Sequence, residues 1–445
     1  MSKARLMKGL LTGLLLAGTT CSIAGPPNIV LIVGDDIGYG DFGCYGSKTN
    51  ETPHIDALAL RGLRFTDYHS AGAMCSPTRA SILTGLYPHR FGPEFDGALS
   101  VRDDRKVGLP LAAVTLAECL SGVGYATGCF GKWHLGYSAP LLPTRQGFES
   151  FRGLLGGDGD FHTRINRSGN PDWYDGETLV PESGYTTDLL TGHALDFIEA
   201  NRDSPFFLYL PHLAIHFPWQ GRDDPPHRVA GTDYTREKFG IIADPTNVAP
   251  HVGAMLEAFD DSVGRVMETL DNLGLTEQTL VVVTSDNGGY LNYGEAYQNI
   301  SSNGEFRGQK TEVYEGGHRV PLIASWPGRI NVGTCDTLTH SNDWMPTILA
   351  LAGVDLPRSD GADLSSLLLE GNDLAPRTLF WRTRNASAVR QGPWKLCIIG
   401  KEPQLFNLEN DPGARTNLAK DHEKLVRELS NAWNEWNDDV NDNTK

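Results

Sequence analysis

The chain has 445 residues, 40% of them hydrophobic and 21% charged, enough for one large core with a smaller appended unit. Its formal net charge of −17 argues against nucleic acid and against anionic membrane surfaces as partners. The same field repels an anionic polymer, so an anionic substrate would need local positive residues or a metal to overcome it.

Lys3, Arg5 and Lys8 precede the apolar run 9–18, and Ser22-Ile23-Ala24 supplies small residues before a cut. Residues 1–24 therefore read as an export signal. The run is too short to span a bilayer and no later stretch is long enough, so stable membrane insertion is not expected. This places the mature chain in a bacterial periplasm or outside the cell, or in a lysosome or secretory route in a eukaryote. Only in that last case would Asn50, Asn166, Asn299 and Asn385 matter as glycosylation acceptors. Beyond Cys21, the six cysteines Cys44, Cys75, Cys119, Cys129, Cys335 and Cys397 permit disulfides without fixing a pairing, and none has zinc-site spacing.

Residues 28–33 form a continuous apolar, β-branched run, the pattern of a strand buried on both faces. It ends in Asp35-Asp36, where open α/β sheets place ligands. A helix is predicted from Thr52-Pro53 to Gly62, then a short strand at 65–68. Next comes a helix at Cys75, with Ser76 as a cap, Pro77 at its first position and Gly85 as its stop. Unpaired N–H groups there suit an anion, and Arg79 lies one turn in. Tyr87 to Arg90 reads as a loop, 115–122 as a helix and 125–130 as a strand. The strand runs into Lys132 and His134, which alternate and on an extended segment would point the same way.

From 140 to 183 periodicity is lost, and loops over the sheet edge are expected; substrate contacts would sit there, around His162, Arg164, Asp172 and Trp173, and in the 219–250 loop. A helix at 186–200 and a buried strand at 206–210 lead to His212 and His216-Phe217-Pro218. A striped helix at 255–273 is followed by the apolar run 280–283 and Asp286-Asn287. If the two buried strands lie close, Asp35, Asp36, Asp286 and Asn287 form a hard oxygen-donor set that favours Ca²⁺ or Mg²⁺ over zinc. Arg307, Lys310 and Glu315 share a glycine-bracketed loop. From about residue 377 short strands predict a small antiparallel sheet, and a final helix carries Leu425, Val426, Leu429, Trp433 and Trp436 on one face to dock the tail.

Taken together these motifs resemble the sulfatase family of the alkaline phosphatase superfamily. Cys75-Ser76-Pro77-Thr78-Arg79 matches its C-x-P-x-R signature, and 131–136 (GKWHLG) matches its second signature. Asp35-Asp36, His216-x-Pro218, Asp286-Asn287-Gly288 and Lys310 before Tyr314-Glu315-Gly316-Gly317 follow in the family's order, so the resemblance covers nearly the whole mature chain. It implies an α/β fold, with a large, mixed, mostly parallel sheet sandwiched by helices over 25–375 and a C-terminal α+β subdomain over 376–445.

The resemblance also implies a sulfuric ester hydrolase in which Cys75 is oxidised to formylglycine by a formylglycine-generating enzyme. One hydroxyl of the hydrated aldehyde would attack the sulfur of a sulfate ester, and the other would expel sulfate and restore the aldehyde. Asp35, Asp36, Cys75, Asp286 and Asn287 would ligate one Ca²⁺, with Mg²⁺ the other compatible ion. Arg79 would hold the nucleophile's oxygen, His134 would serve as base and Lys132 would stabilise charge. His216 and Lys310 would bind the sulfate and help protonate the leaving oxygen. The expected substrate is a sulfated small molecule or glycan. Two other readings stay open: a phosphodiesterase or phosphonate monoester hydrolase on the same scaffold, and an unconverted protein that only binds sulfated glycans. Nothing in the sequence sets the sugar, the sulfate position or the oligomeric state.

Overall fold

The computed structural model describes residues 25–100 and 106–442. The expected export signal lies outside the described residues. Strand β1 (Asn28–Gly34) is buried along its whole length. Helix α1 (Pro53–Ala59), β2 (Leu63–Phe65) and β3 (Tyr68–His69) lead to α2 (Cys75–Thr84), all ten residues of which are buried. The single strand expected at 65–68 is thus two. Helix α3 (Leu116–Ser121) starts on a capping box between Thr115 and Glu118, and β4 (Ala126–Lys132) follows.

Next come β5 (Ser150–Leu154), β6 (Tyr174–Asp175) and β7 (Thr178–Leu179), in the stretch where the sequence predicts loops. Ser150, Arg152 and Gly153 break any apolar pattern in β5; its pairing with β4, not its own composition, makes it a strand. Helix α4 (Thr186–Ala200), β8 (Phe206–Pro211) and β9 (Thr279–Ser285) match expectation closely, whereas α5 (Ala249–Asn272) starts six residues before the expected Met255. A small hairpin of β10 (Asn292–Tyr293) and β11 (Tyr297–Gln298) precedes α6 (Glu315–His318), β12 (Leu322–Ser325), β13 (Gly333–Cys335), β14 (Thr339–His340), α7 (Trp344–Ala352) and α8 (Ser365–Glu370).

The large sheet has ten strands in the order β13-β2-β12-β9-β1-β8-β4-β5-β6-β7. At its centre β9, β1, β8 and β4 run parallel. Gly34 lies opposite Ser285 and Val33 opposite Pro211, so these strands end at one level. Alternation along β1 divides the core: Ile29, Leu31 and Val33 face α2, α3 and α7, whereas Val30 and Ile32 face α1, α4 and α5. The result is a helix–sheet–helix sandwich with polar segments collected at the carboxyl ends of the central strands.

The C-terminal unit is an antiparallel sheet of β15 (Thr378–Arg382), β16 (Ala386–Gln391), β17 (Trp394–Ile399) and β18 (Glu402–Asn407), followed by α9 (Glu423–Asn441). The apolar face of α9 docks as expected. Leu429 is buried on β16–β18, and Trp436 stacks on Phe380 and meets Tyr87 of the larger unit edge-on. All six described cysteines are free thiols. Among the described residues no helix is long and apolar enough to cross a membrane.

Candidate active site

The four central strands deliver their polar ends to one place. From β1 come Asp35 and Asp36, from β9 Asp286 and Asn287, from β4 Lys132, and from the turn after β8 His216. Asp36 adopts a left-handed backbone (φ 68°), a conformation that clusters at functional sites. Helix α2 enters from below with Cys75 as its first residue. Potential ligand atoms of Asp35, Cys75 and Asp286 lie within 4.8 Å of one another, as do those of Asp35, Asp36 and His216.

The start of α2 differs in detail from the sequence reading. Met74 is its N-cap and makes no side-chain cap bond, while Ser76 sits inside the helix and its hydroxyl accepts from the Leu99 N–H at 3.0 Å. Pro77 is third rather than first, still within the turn whose N–H groups need no helical partner. Gly85 does end the helix, in the left-handed conformation (φ 67°).

Arg79 is fully buried and grips Asp286 through Nε at 2.9 Å and Nη2 at 2.7 Å, while Nη1 donates to the Lys132 carbonyl at 2.7 Å. Lys132 forms a short ion pair with Asp35, and Lys310 forms one with Asp36. Asn287 Nδ2 donates to Asp36 Oδ1 at 2.8 Å. Burial holds the Asp35 and Asp286 carboxyls above their ordinary range, offset in part by the lysines and Arg79. Burial likewise raises the Cys75 thiol, against the pull of Lys132 and Lys310.

Two buried oxygens, Asp35 Oδ1 and Asn287 Oδ1, have no hydrogen-bond partner. Orphaned oxygens beside clustered carboxylates, with no nearby thiolate except Cys75, are the donors a hard divalent cation takes. The residue set therefore fits such an ion. The third such cluster, His69, Glu315 and His318, does not: Lys395 Nζ already lies 2.7 Å from Glu315 and 2.6 Å from His318.

His134 and Lys132 do not share an extended segment. β4 stops at Lys132, and His134 takes a left-handed backbone (φ 55°) that turns its ring into the site. His134 Nε2 lies 2.8 Å from the Leu99 carbonyl, an acceptor only, so Nε2 carries the proton and Nδ1 holds a free lone pair. Burial and Lys132 hold this ring well below the ordinary histidine range, hence neutral. His216 is neutral for the same reason, with burial first and Lys310 next; its Nδ1 donates to the Phe217 carbonyl at 2.7 Å. His212, by contrast, packs on α5 through Ser262 at 2.9 Å and takes no place in the site. Lys310 stays charged although burial opposes it, because Asp36 lies against it.

Cys75, His134, His216 and Lys310 line the floor of one cavity of about 270 Å³. Its rim carries Asp158, Arg167 and Lys238, which lie in the two loops expected to supply substrate contacts though not singled out within them, and Tyr137, Phe217 and Tyr293, which nothing local marks. The four residues expected there are elsewhere. Arg164 donates to the Gly184 and Glu182 carbonyls, Trp173 donates to Glu182 at 2.7 Å, Asp172 accepts the Leu155 and Gly156 amides, and His162 packs on Tyr185. They shape the loop; they do not line the cavity.

The Sulfatase family model matches residues 27–354. The chain is 34% identical to arylsulfatase A of Homo sapiens over 466 aligned positions, covering 91% of this chain and 86% of the human protein. It is 30% identical to the N-acetylgalactosamine-6-O-sulfatase of Bacteroides thetaiotaomicron, covering 91% and 92% of the two chains. Among solved structures, Ps i-CgsB in complex with k-i-k-neocarrahexaose superposes with a TM-score of 0.83 at 29% identity, over 94% of each chain.

Proposed function

The chain belongs to the sulfatase family, whose members are sulfuric ester hydrolases, and from that premise we propose an exported enzyme that hydrolyses carbohydrate sulfate esters through a formylglycine made from Cys75. The observation that carries this reading is the meeting of Cys75 with Asp35, Asp36, Asp286 and Asn287 beneath one cavity that also holds Lys310, His134 and His216. The sugar-sulfate part draws support from the relative named N-acetylgalactosamine-6-O-sulfatase and from the k-i-k-neocarrahexaose in complex with Ps i-CgsB. The cavity size suits one sulfated ring rather than a long stretch of polymer.

Asp35, Asp36, Asp286, Asn287 and the residue derived from Cys75 would hold one divalent cation, Ca²⁺ in our reading. Such an ion supplies Lewis acidity to a bound oxygen. Three buried carboxylates already face the three buried cations Arg79, Lys132 and Lys310, so an added divalent ion needs the sulfate ester's own charge to bring the site near balance.

The chain's own groups divide the remaining work. Arg79 fixes Asp286 in place by meeting its Oδ2 with both Nε and Nη2. Lys132 and Lys310 offset charge on the sulfate oxygens. His134 Nδ1 accepts the proton released when sulfate is expelled. Lys310, the charged donor, gives a proton to the leaving oxygen, while His216 orients the sulfate. Turnover of an aryl sulfate and an aryl phosphate by one preparation tests the reading. A clear preference for the sulfate supports it, and a phosphate preference would replace it with the phosphodiesterase alternative.

A further inference from the structure

We infer that Lys238 and Arg167 form a second anion subsite on the cavity rim, taking a carboxylate or further sulfate of the same glycan; this rests on the hydrolase reading of the floor. Both side chains line the cavity that holds Cys75 and Lys310. Lys238 Nζ donates to the Tyr293 hydroxyl at 2.8 Å, and among the described residues it has no carboxylate partner. It lies 4.6 Å from the Tyr293 ring centre, 5.2 Å from Phe239 and 5.3 Å from Phe217. Three aromatic faces fix the ammonium and strip part of its water, and two of its three N–H donors remain to be used.

Arg167 stands over the same Phe217 ring, at 5.3 Å. Its Nε reaches Asp158 Oδ1 at 2.9 Å, but the other oxygen of Asp158 is held by the buried Arg228, also at 2.9 Å. One carboxylate shared by two guanidinium groups leaves positive charge in excess. Two cations held by one phenyl ring repel each other unless an anion lies near both. Both oxygens of Asp158, the carboxylate on this rim, already face guanidinium groups, so the capacity left at Lys238 and Arg167 is for donation to an anion.

The two cations are also held in place. Arg228 Nη2 donates to the Lys238 carbonyl at 2.9 Å, and the Tyr234 amide donates to the Arg167 carbonyl at 2.8 Å, so the 219–250 loop is fastened beside the 158–167 loop. A substrate with one sulfate in the floor and a second negative group above it would satisfy both levels. The class is a glycan fragment with two anionic groups, such as a disulfated hexosamine or a sulfated hexosamine linked to a uronic acid.

The test compares three substrates on the converted, cation-loaded enzyme: a monosulfated N-acetylhexosamine, the same sugar with a second sulfate, and the monosulfated sugar linked to a uronic acid. We expect kcat/KM to favour at least one dianionic substrate by roughly 10-fold or more, the scale of one charge-assisted hydrogen bond. The preference should shrink toward one in Lys238→Gln and in Arg167→Gln, and survive in Lys238→Arg. The second-sulfate and uronate arms identify which anion is taken. Calorimetry on the Cys75→Ala variant reads the same preference in Kd without turnover, so loss of the hydrolase reading and loss of the subsite remain distinguishable. Equal affinity for all three substrates, or a preference that both glutamine variants leave intact, overturns the subsite.

Discussion

Replacing Lys395 by Met should loosen the joint between the C-terminal sheet and the nucleophile. Lys395 lies on β17, fully buried, and donates to Glu315 at 2.7 Å and to His318 Nε2 at 2.6 Å. A lysine only donates and lies nearer than the Val313 carbonyl, which is 3.2 Å from the same nitrogen, so His318 accepts at Nε2 and carries its proton on Nδ1, 3.0 Å from His69 Nδ1. His69 Nε2 then donates to Asp67 at 2.9 Å. The His318 carbonyl accepts from the Ser70 amide, and the Thr311 amide donates to the Ala73 carbonyl, both at 2.8 Å. The network thus ends within a few residues of Cys75. Burial alone would raise Glu315, but Lys395, His69 and Arg390 hold it well below the ordinary range and ionised.

Removing one partner of a buried pair costs about 3–5 kcal/mol. Arg319 at 3.2 Å and Arg390 at 3.4 Å still face Glu315, so Lys395→Met should fall at the low end, about 3 kcal/mol. Glu315→Gln should also destabilise, and the double variant should cost less than the sum by about 1–3 kcal/mol. Urea unfolding of the four proteins gives this coupling, and hydrogen exchange at the Ser70 amide reports whether the strand before Cys75 opens. Additivity within about 0.5 kcal/mol, with unchanged Ser70 exchange, would refute the reasoning.

Gly157→Ala places a methyl 2.5 Å from the buried His134 ring, which must shift, so kcat should fall by roughly 10- to 100-fold with the fold retained by circular dichroism; wild-type kcat would contradict the placement of His134. Chelation should abolish turnover and lower the unfolding midpoint, and Ca²⁺ at 100 times its Kd should restore about 2.7 kcal/mol in urea titrations; full activity after chelation would dismiss the ion. Burial, with Arg382 adding to it, pushes His89 down to about 3, and burial alone does the same to His212. Both rings are neutral when folded but titrate near 6.5 when unfolded, so their stability is complete above that pH and falls as the pH drops toward 3. The loss is up to about 1.4 kcal/mol per pH unit per ring, and His89→Gln should remove one such contribution from urea midpoints measured between pH 7 and 5. An unaltered slope would show that His89 is not neutral in the folded chain.

Much of the site could be read from the sequence because the central strands are buried on both faces. β1, β8 and β9 appear as uninterrupted apolar runs, and each breaks into polar residues where the sheet ends, so Asp35, Asp36, His216, Asp286 and Asn287 stand out. The C-x-P-x-R pattern marked Cys75 and Arg79 for the same local reason. What stayed hidden depends on partners far away in the chain. β5 is a strand only because β4 lies beside it, Ser76 bonds to Leu99 rather than capping its own helix, and His134 turns inward through a left-handed backbone. Arg164 and Trp173 looked available in a polar stretch but are used by Glu182, while Lys238 and Arg167 gain meaning only from Phe217 and Asp158.

The central claim turns on the chemical state of residue 75. The most direct measurement is the mass of the tryptic peptide Phe65–Arg79 from active protein made in a host that carries a formylglycine-generating enzyme. We expect the loss that accompanies conversion of a thiol to an aldehyde, in a fraction that scales with specific activity across preparations. An intact Cys75 thiol in fully active enzyme would contradict it.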